Sequence, residues 1–185
     1  MEELKERSIK TIIGLGNPGS RFERNRHNIG FRVVDALAQK YSAQWKQKGE
    51  MLYTKIFLNG DTVMLVKPQT YMNSSGRILP LLQKDGIKAE NILVVHDELE
   101  KPFGKCSFKI GGSHRGHNGL RSLIGVGGAD FSRLRFGVGR PENKEDVPDY
   151  VLSNFTGPEE SEVEQLIEQA VVMIEDLFNG DEHVE

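Results

Sequence analysis

The chain has 185 residues, enough for one well-buried domain and short for two. Its single cysteine, Cys106, excludes an intramolecular disulfide or a thiolate metal cluster and reads as a small strand residue; no run approaches the ~18 consecutive apolar residues of a membrane span. The net charge of −3 is unevenly spread: residues 1–100 carry +3, residues 101–144 carry +7 and residues 145–185 carry −13.

The start, Met1-Glu2-Glu3-Leu4-Lys5-Glu6-Arg7, is too charged for a secretion signal, so a soluble, cytoplasmic protein is expected. Ile9 to Gly14 predicts a short buried strand. It opens onto Gly14-Leu15-Gly16-Asn17-Pro18-Gly19, a match to the dinucleotide fingerprint G-x-G-x-x-G. In a nucleotide-binding unit the last glycine opens a helix on the pyrophosphate, and an acidic residue about 20 positions on takes the ribose hydroxyls. Neither condition is met. Arg21, Glu23, Arg24, Arg26 and His27-Asn28 follow Gly19, the helical pattern begins near Gly30, and Gln39 and Lys40 lie within that helix without a carboxylate. The glycines are therefore expected to give a tight turn at a strand exit, and Asn17, Arg26, His27 and Asn28 suggest hydrolytic or transfer chemistry.

Phe31, Val34, Leu37, Ala38 and Tyr41 fall at helical spacing. Leu52–Leu58 and Thr62–Val66, separated by Asn59-Gly60-Asp61, predict an antiparallel hairpin that Pro68 ends. Gln69 to Ser75 is polar and leads into a helix carrying Ile78, Leu79, Leu81 and Leu82, with Ser74-Ser75-Gly76 as its expected N-cap. Asn91 to Val95 reads as a central strand ending in His96-Asp97-Glu98. Lys105 to Ile110 alternates like an exposed strand, Gly111 to Gly119 is a Gly-rich loop, and Leu120 starts a helix. Ser132 to Val138 alternates again, and residues 157–179 form a C-terminal amphipathic helix ended by Asn179-Gly180. Strands alternating with helices, plus one hairpin, predict a single three-layer α/β domain over residues 1–185. Its sheet would be mixed, mostly parallel and twisted, and flanked by helices. Ligands in such sheets bind where loops leave the carboxyl ends of strands, and Asn17, Asn73 and Asp97 are all placed at such exits.

Among the residues that could do chemistry, His27 and Asp97 form a candidate base and its orienter, because a carboxylate on one imidazole nitrogen leaves the other to accept a proton. The bland reading of His27 is a surface residue in a polar loop. No serine sits in a nucleophile elbow, so water is the expected nucleophile. Asn17, Asn73 and Asn118 are turn formers by default. As functional groups, their amides can place a water or read a peptide backbone without adding charge. His114, His117, His96 and Asp97 raise the rival of a zinc hydrolase. It is disfavoured because His96 and Asp97, adjacent in a strand, should point to opposite faces. The Gly-rich loop ending in a helix suits an anion instead, with Arg115 favouring phosphate, and the basic segment reads as a backbone-phosphate surface. The alternative is that the acidic tail folds back over that basic segment and neutralises it.

Taken in order, GLGNPG followed by RHNIGF, KPQTYMNSSG, VVHDEL, FKIGGSHRGHNGL and RLRFGVGRP resemble the bacterial peptidyl-tRNA hydrolases over nearly the whole chain. The resemblance implies hydrolysis of the ester joining a peptide to the 3′ ribose of tRNA, with no metal or cofactor, by a protein for which nothing demands more than a monomer. It implies that His27 activates water, that Asp97 stabilises it, and that Asn17 separates N-blocked from free aminoacyl esters. Phe22, Tyr71, Asn73 and Asn118 match positions contacting the tRNA end, Met72 the peptide cleft, and Lys109, His117 and Arg135 the wider substrate surface. Phe22 stands where many members have tyrosine, Ser113-His114-Arg115 replaces a run usually richer in glycine, and the C-terminal helix lacks the basic residues often found there. A catalytically silent RNA-binding relative acting in RNA processing is the alternative that the resemblance leaves open.

Overall fold

The four residues Thr11–Gly14 form strand β1, buried along its whole length, which only a strand covered on both faces and both edges can be. The computed structural model describes residues 1–179. After a short helix α1 (Glu2–Glu6) and β1 come helix α2 (Ile29–Lys40), strands β2 (Lys46–Lys48), β3 (Met51–Leu58) and β4 (Asp61–Pro68), helix α3 (Leu79–Lys84) and strand β5 (Ile92–Glu98). Strand β6 (Cys106–Ile110), helix α4 (Asn118–Gly127), strand β7 (Ser132–Gly137) and helices α5 (Val147–Val151) and α6 (Gly157–Asp176) complete the order. The seven strands form one sheet in the order β2-β3-β4-β1-β5-β7-β6. The pairings β4–β1, β1–β5 and β5–β7 are parallel and make the centre; the edge pairings β2–β3, β3–β4 and β7–β6 are antiparallel.

Alternation along the central strands divides the core into two faces. Ile12, Leu65, Leu93 and Val95 pack with Val33, Val34, Leu37, Ile167, Ala170 and Ile174 of α2 and α6. Ile13, Val66 and Val94 pack with Leu79, Leu82, Leu120 and Leu123 of α3 and α4. Burying the side chains of Ile12 and Ile13 contributes about 2 kcal/mol each. The three expected layers are therefore α2 and α6, the sheet, and α3 with α4. The hairpin between β3 and β4 closes on Asn59 and Gly60, both at positive φ (51° and 85°), the two-residue turn that Asn-Gly favours.

Several local expectations are corrected. Strand β2 and helices α1 and α5 carry too short a pattern to announce themselves, and β5 runs through His96-Asp97-Glu98, so Asp97 lies inside the strand end and not beyond it. Ser74 and Ser75 cap nothing: Met72–Ile78 is a run of 3₁₀ turns, and the buried Ser75 hydroxyl donates to the Met72 carbonyl at 2.7 Å. The C-terminal helix ends at Asp176, and Gly180, its expected terminator, lies outside the described residues.

The glycines of the opening loop also act differently from expectation. Only Gly19 holds a positive φ (110°). Gly14 and Gly16 serve close approach. A Cβ on Gly14 would meet the Gly30 carbonyl oxygen at 2.4 Å, and one on Gly16 would meet the Phe31 ring at 2.6 Å. Gly30 is tighter still, because a Cβ there would lie 2.3 Å from the Val95 oxygen and 2.6 Å from the Leu15 nitrogen, so α2 sits directly on the exits of β1 and β5. Gly30→Ala is expected to destabilise the fold by about 3 kcal/mol, because the obstructing atoms are backbone. Urea unfolding should show a lower midpoint at unchanged slope; an unmoved midpoint would mean that α2 can slide outward.

Candidate active site

Because α2 begins against the strand exits, the single 3₁₀ turn Arg26–Asn28 just before it is carried over the end of β5. His27 and Asp97 are both buried and meet there: Nδ1 lies 2.9 Å and 3.0 Å from the two carboxylate oxygens. An ionised carboxylate only accepts, so Nδ1 carries the proton and Nε2 keeps its lone pair. Burial opposes protonation of His27, but the charge and hydrogen bonds of Asp97 outweigh it and hold its pKa above 6.5. Burial likewise opposes ionisation of Asp97, and His27 and His117 overcome it, keeping the carboxylate well below its usual range.

Asn28, next to His27, does two things with one amide. Its Oδ1 accepts the backbone N–H of Asn17 and its Nδ2 donates to the Asn17 carbonyl, both at 2.9 Å. The loop after β1 is thereby fastened to the His27 turn. The Asn17 side chain is fixed in turn, because its Oδ1 accepts the backbone N–H of Met72 at 2.7 Å. Its Nδ2 has no protein partner among the described residues, so Asn17 offers a donor. Sequence reasoning named Asn28 without giving it this role; adjacency to His27 was the only available signal.

His117, matched from sequence to the substrate surface, meets the same carboxylate beside His27, with Nε2 2.8 Å from Asp97 Oδ1 and the two rings 4.9 Å apart. The His96 ring stands edge-on to His117 at 5.3 Å, so His96 and Asp97 both flank one imidazole despite their adjacency in β5. The alternation argument against a metal shared by His96 and Asp97 holds, because His96 offers no ligand atom to the cluster that Asp97 joins. His96 is fully buried, its Nδ1 donates to the Asp97 carbonyl at 2.8 Å, and burial together with His117 pushes its pKa down to about 3. His114 lies apart, accepting from the Gly116 N–H.

His27, Asp97 and His117 present ligand atoms within 4.8 Å of one another, a different set from the four residues weighed in the sequence. Their hydrogen bonds do not suit a cation. His117 Nδ1 accepts from the backbone N–H groups of Gly119 and Leu120, so the proton of this ring is on Nε2, where a metal needs a lone pair. The same contact corrects the expected anion cradle, because the start of α4 is filled by the His117 ring instead of being open to phosphate.

The remaining candidates surround this centre. His27, Asp97, His117 and Asn118 line a cavity of about 320 Å³ that also carries Lys109, Arg115 and Arg135. Asn17 and Asn28 border a second cavity of about 750 Å³ next to it in the fold. Asn73 and Asn118 are exposed and open two segments that touch each other, the Gly76 N–H donating to Ser122 Oγ at 2.8 Å. Met72 is buried against Gly119. Tyr71 is 64% exposed and meets Phe22 edge-to-face at 6.4 Å, while the Arg21 guanidinium covers the Phe22 ring.

Two arginines prove structural. Arg133 is buried and donates to the carbonyls of Gly112 and Ser113 at 2.6 and 2.7 Å, pinning the Gly-rich loop. Arg26, also buried, stacks on Tyr150 at 4.0 Å and bonds Ser153 and Glu159, tying the His27 turn to the segment before α6. The acidic helix pairs with the arm and α2, not with the basic middle: Glu160 takes Arg24 and Arg32, Glu159 takes Arg26, and Glu175 takes Lys40. Among the described residues, Arg140 is the one lysine or arginine of residues 101–144 in an ion pair, and its partner is Glu100, not the acidic helix. The described part of the acidic tail therefore makes its ion pairs with the arm and α2, and not with the basic segment it was expected to neutralise.

A family model described as peptidyl-tRNA hydrolase matches residues 11–184. The peptidyl-tRNA hydrolase of Rickettsia bellii is 44% identical over 91% of this chain and 90% of its own length. That of Bacillus subtilis is 45% identical over 86% and 87%. A crystal structure of a mutant peptidyl-tRNA hydrolase from Acinetobacter baumannii superposes with a TM-score of 0.89 at 38% identity, covering 93% of this chain and 89% of that one. No described helix is long and apolar enough to cross a membrane.

His27 holds its proton more tightly folded than unfolded, so its contribution to stability is complete below about pH 6.5 and fades as pH climbs through the folded midpoint. By NMR, His27 is expected to titrate above 6.5 in the wild type. In Asp97→Asn it should titrate below 6.5, because burial then acts alone. A midpoint that Asp97→Asn leaves in place would break the assigned pairing.

Proposed function

Because the chain belongs to the peptidyl-tRNA hydrolase family, we propose that it hydrolyses the ester between a peptide and the 3′ ribose of tRNA, releasing both. The observation that carries this reading is the buried His27–Asp97 pair, with Nε2 of His27 free to act as a base. His27 Nε2 takes a proton from water as the water oxygen attacks the ester carbonyl. Asp97 stabilises the imidazolium that forms. Collapse of the tetrahedral intermediate breaks the bond to the ribose oxygen, which takes the proton back from His27. The bond made to water replaces the ester bond lost, so the products are a free carboxylic acid and a 3′-hydroxyl. Asn17 presents an amide donor held in place by Met72 and Asn28, suited to a carbonyl of the peptide and so to N-blocked esters over free ones.

Nucleic-acid binding falls to the surface around the centre. Tyr71 and Phe22 make a paired aromatic surface on which the bases of the tRNA end can stack, Phe22 without a hydroxyl contact. Asn73 and Asn118 read the 3′ end, and Met72 lines the peptide path. Lys109, Arg115 and Arg135 take backbone phosphates of the acceptor stem, on a face that the acidic helix leaves uncovered. A monomer in the cytoplasm, working without metal or cofactor, completes the reading.

Hydrolysis of an N-blocked aminoacyl-tRNA is the direct assay. His27→Ala is expected to lower the rate at least ~100-fold, with no change on adding a chelator to the wild type. A purified protein that binds the tRNA but never cleaves it, or an unaffected His27→Ala, would overturn the proposal. In a separate measurement, Arg135→Ala should weaken tRNA binding and reduce the slope of log affinity against log salt by about 1. An unchanged slope would remove Arg135 from the phosphate contacts.

A further inference from the structure

The Asp97 carboxylate receives a second imidazole that the proposed reaction does not use. Its orientation is decided far from the reacting atoms. His117 is the N-cap of α4, and the backbone N–H groups of Gly119 and Leu120 both donate to its Nδ1, at 3.1 and 3.2 Å. A nitrogen that accepts two N–H groups cannot carry a proton itself, so the proton of the ring is on Nε2. That nitrogen is 2.8 Å from Asp97 Oδ1 and can only donate to it.

We infer that His117 is a positioning residue: the start of α4 fixes its tautomer, and the fixed Nε2–H clamps the Asp97 carboxylate at Oδ1, beside His27. The ring is held by its surroundings as well, with His96 edge-on at 5.3 Å and His27 tilted against it at 4.9 Å. Arg133 pins the preceding loop through the carbonyls of Gly112 and Ser113. A carboxylate gripped by two donors keeps its plane toward His27 without needing a substrate to order it. His117 also draws on the negative charge that Asp97 offers to the His27 imidazolium, which moderates the basicity of the base.

Asn118 is the next residue and the first of α4. A tRNA end held by Asn118 therefore pulls on the segment that sets the His117 tautomer, which links docking to the geometry of the base. The inference rests on the proposed reading for that link, whereas the clamp itself does not need it. The titratable groups in contact with His27 are Asp97 from β5 and His117 from the α4 cap; His96 and Arg133 stand behind them, and Arg26 with Glu159 lies beside it on the arm and α6.

Two substitutions separate the two jobs of the ring. Asparagine places a polar atom where Nδ1 is, so H117N keeps the cap and loses the donor. Glutamine places an amide where Nε2 is, so H117Q keeps the donor and loses the cap. Nitrogen-15 histidine NMR of the wild-type protein should show His117 protonated on Nε2. The His27 midpoint, followed by NMR and by the acid limb of the hydrolysis profile, should rise by roughly half a pH unit in H117N and stay near wild type in H117Q. A proton on Nδ1 in the wild type, or equal His27 midpoints in wild type and H117N, would overturn the clamp; loss of rate at all pH values in H117Q, with H117N at the wild-type rate and midpoint, would reduce His117 to a helix cap. A wild type that gives the expected NMR result yet cleaves no ester refutes the proposed function and leaves the clamp standing.

Discussion

A buried carboxylate at the end of a central strand needs donors, and much of the site is arranged to supply them to Asp97. Two imidazoles do so, His27 from the turn before α2 and His117 from the cap of α4. Both lie on segments that the chain reaches by separate routes, 70 residues before and 20 after the aspartate. Leaving either donor out would strand part of a charge in the protein interior, where no water can stand in for it. The two segments therefore belong to one electrostatic unit. Its demands explain why α2 must come so close to the sheet, with Gly14 and Gly30 presenting no side chain where the two backbones meet.

Charge is sorted by distance in the fold. The acidic helix α6 lies on α2 and spends its carboxylates on Arg24, Arg26, Arg32 and Lys40. These pairs are partly exposed and individually weak. Together they fasten the arm that ends in His27 to the last helix. They also keep the helix away from Lys109, Arg115 and Arg135, so a protein of net charge −3 retains a basic face beside its candidate centre. Basic residues within that face are not all alike. Both Arg133 and Arg135 border the cavity, but Arg133 is buried and consumed by loop carbonyls, whereas Arg135 is partly exposed.

The part of the site that was legible in the sequence is the part written in residue type and strand position. An asparagine after the first strand, a histidine before the first long helix, and an aspartate at the end of a central apolar run are chemical signals that need no coordinates to notice. The hairpin was legible because Asn59-Gly60 states its own backbone conformation. The illegible part consists of partnerships. Asn28 as the brace of Asn17, Arg133 as the pin of the loop, and His117 as the second donor to Asp97 join residues whose separation along the chain carries no periodic signal.

The sequence by itself determined the alternation of strands and helices, the two-faced core and the chemical inventory of the site, because burial periodicity and residue chemistry are local properties. Its G-x-G-x-x-G loop correctly marked a strand exit but assigned the wrong purpose to its glycines. Only the tertiary structure decided that they admit α2, which proton His117 carries, and where the acidic helix places its charge. Each of those depends on atoms brought within about 3 Å from distant parts of the chain, a distance at which hydrogen-bond direction and steric exclusion take over from composition.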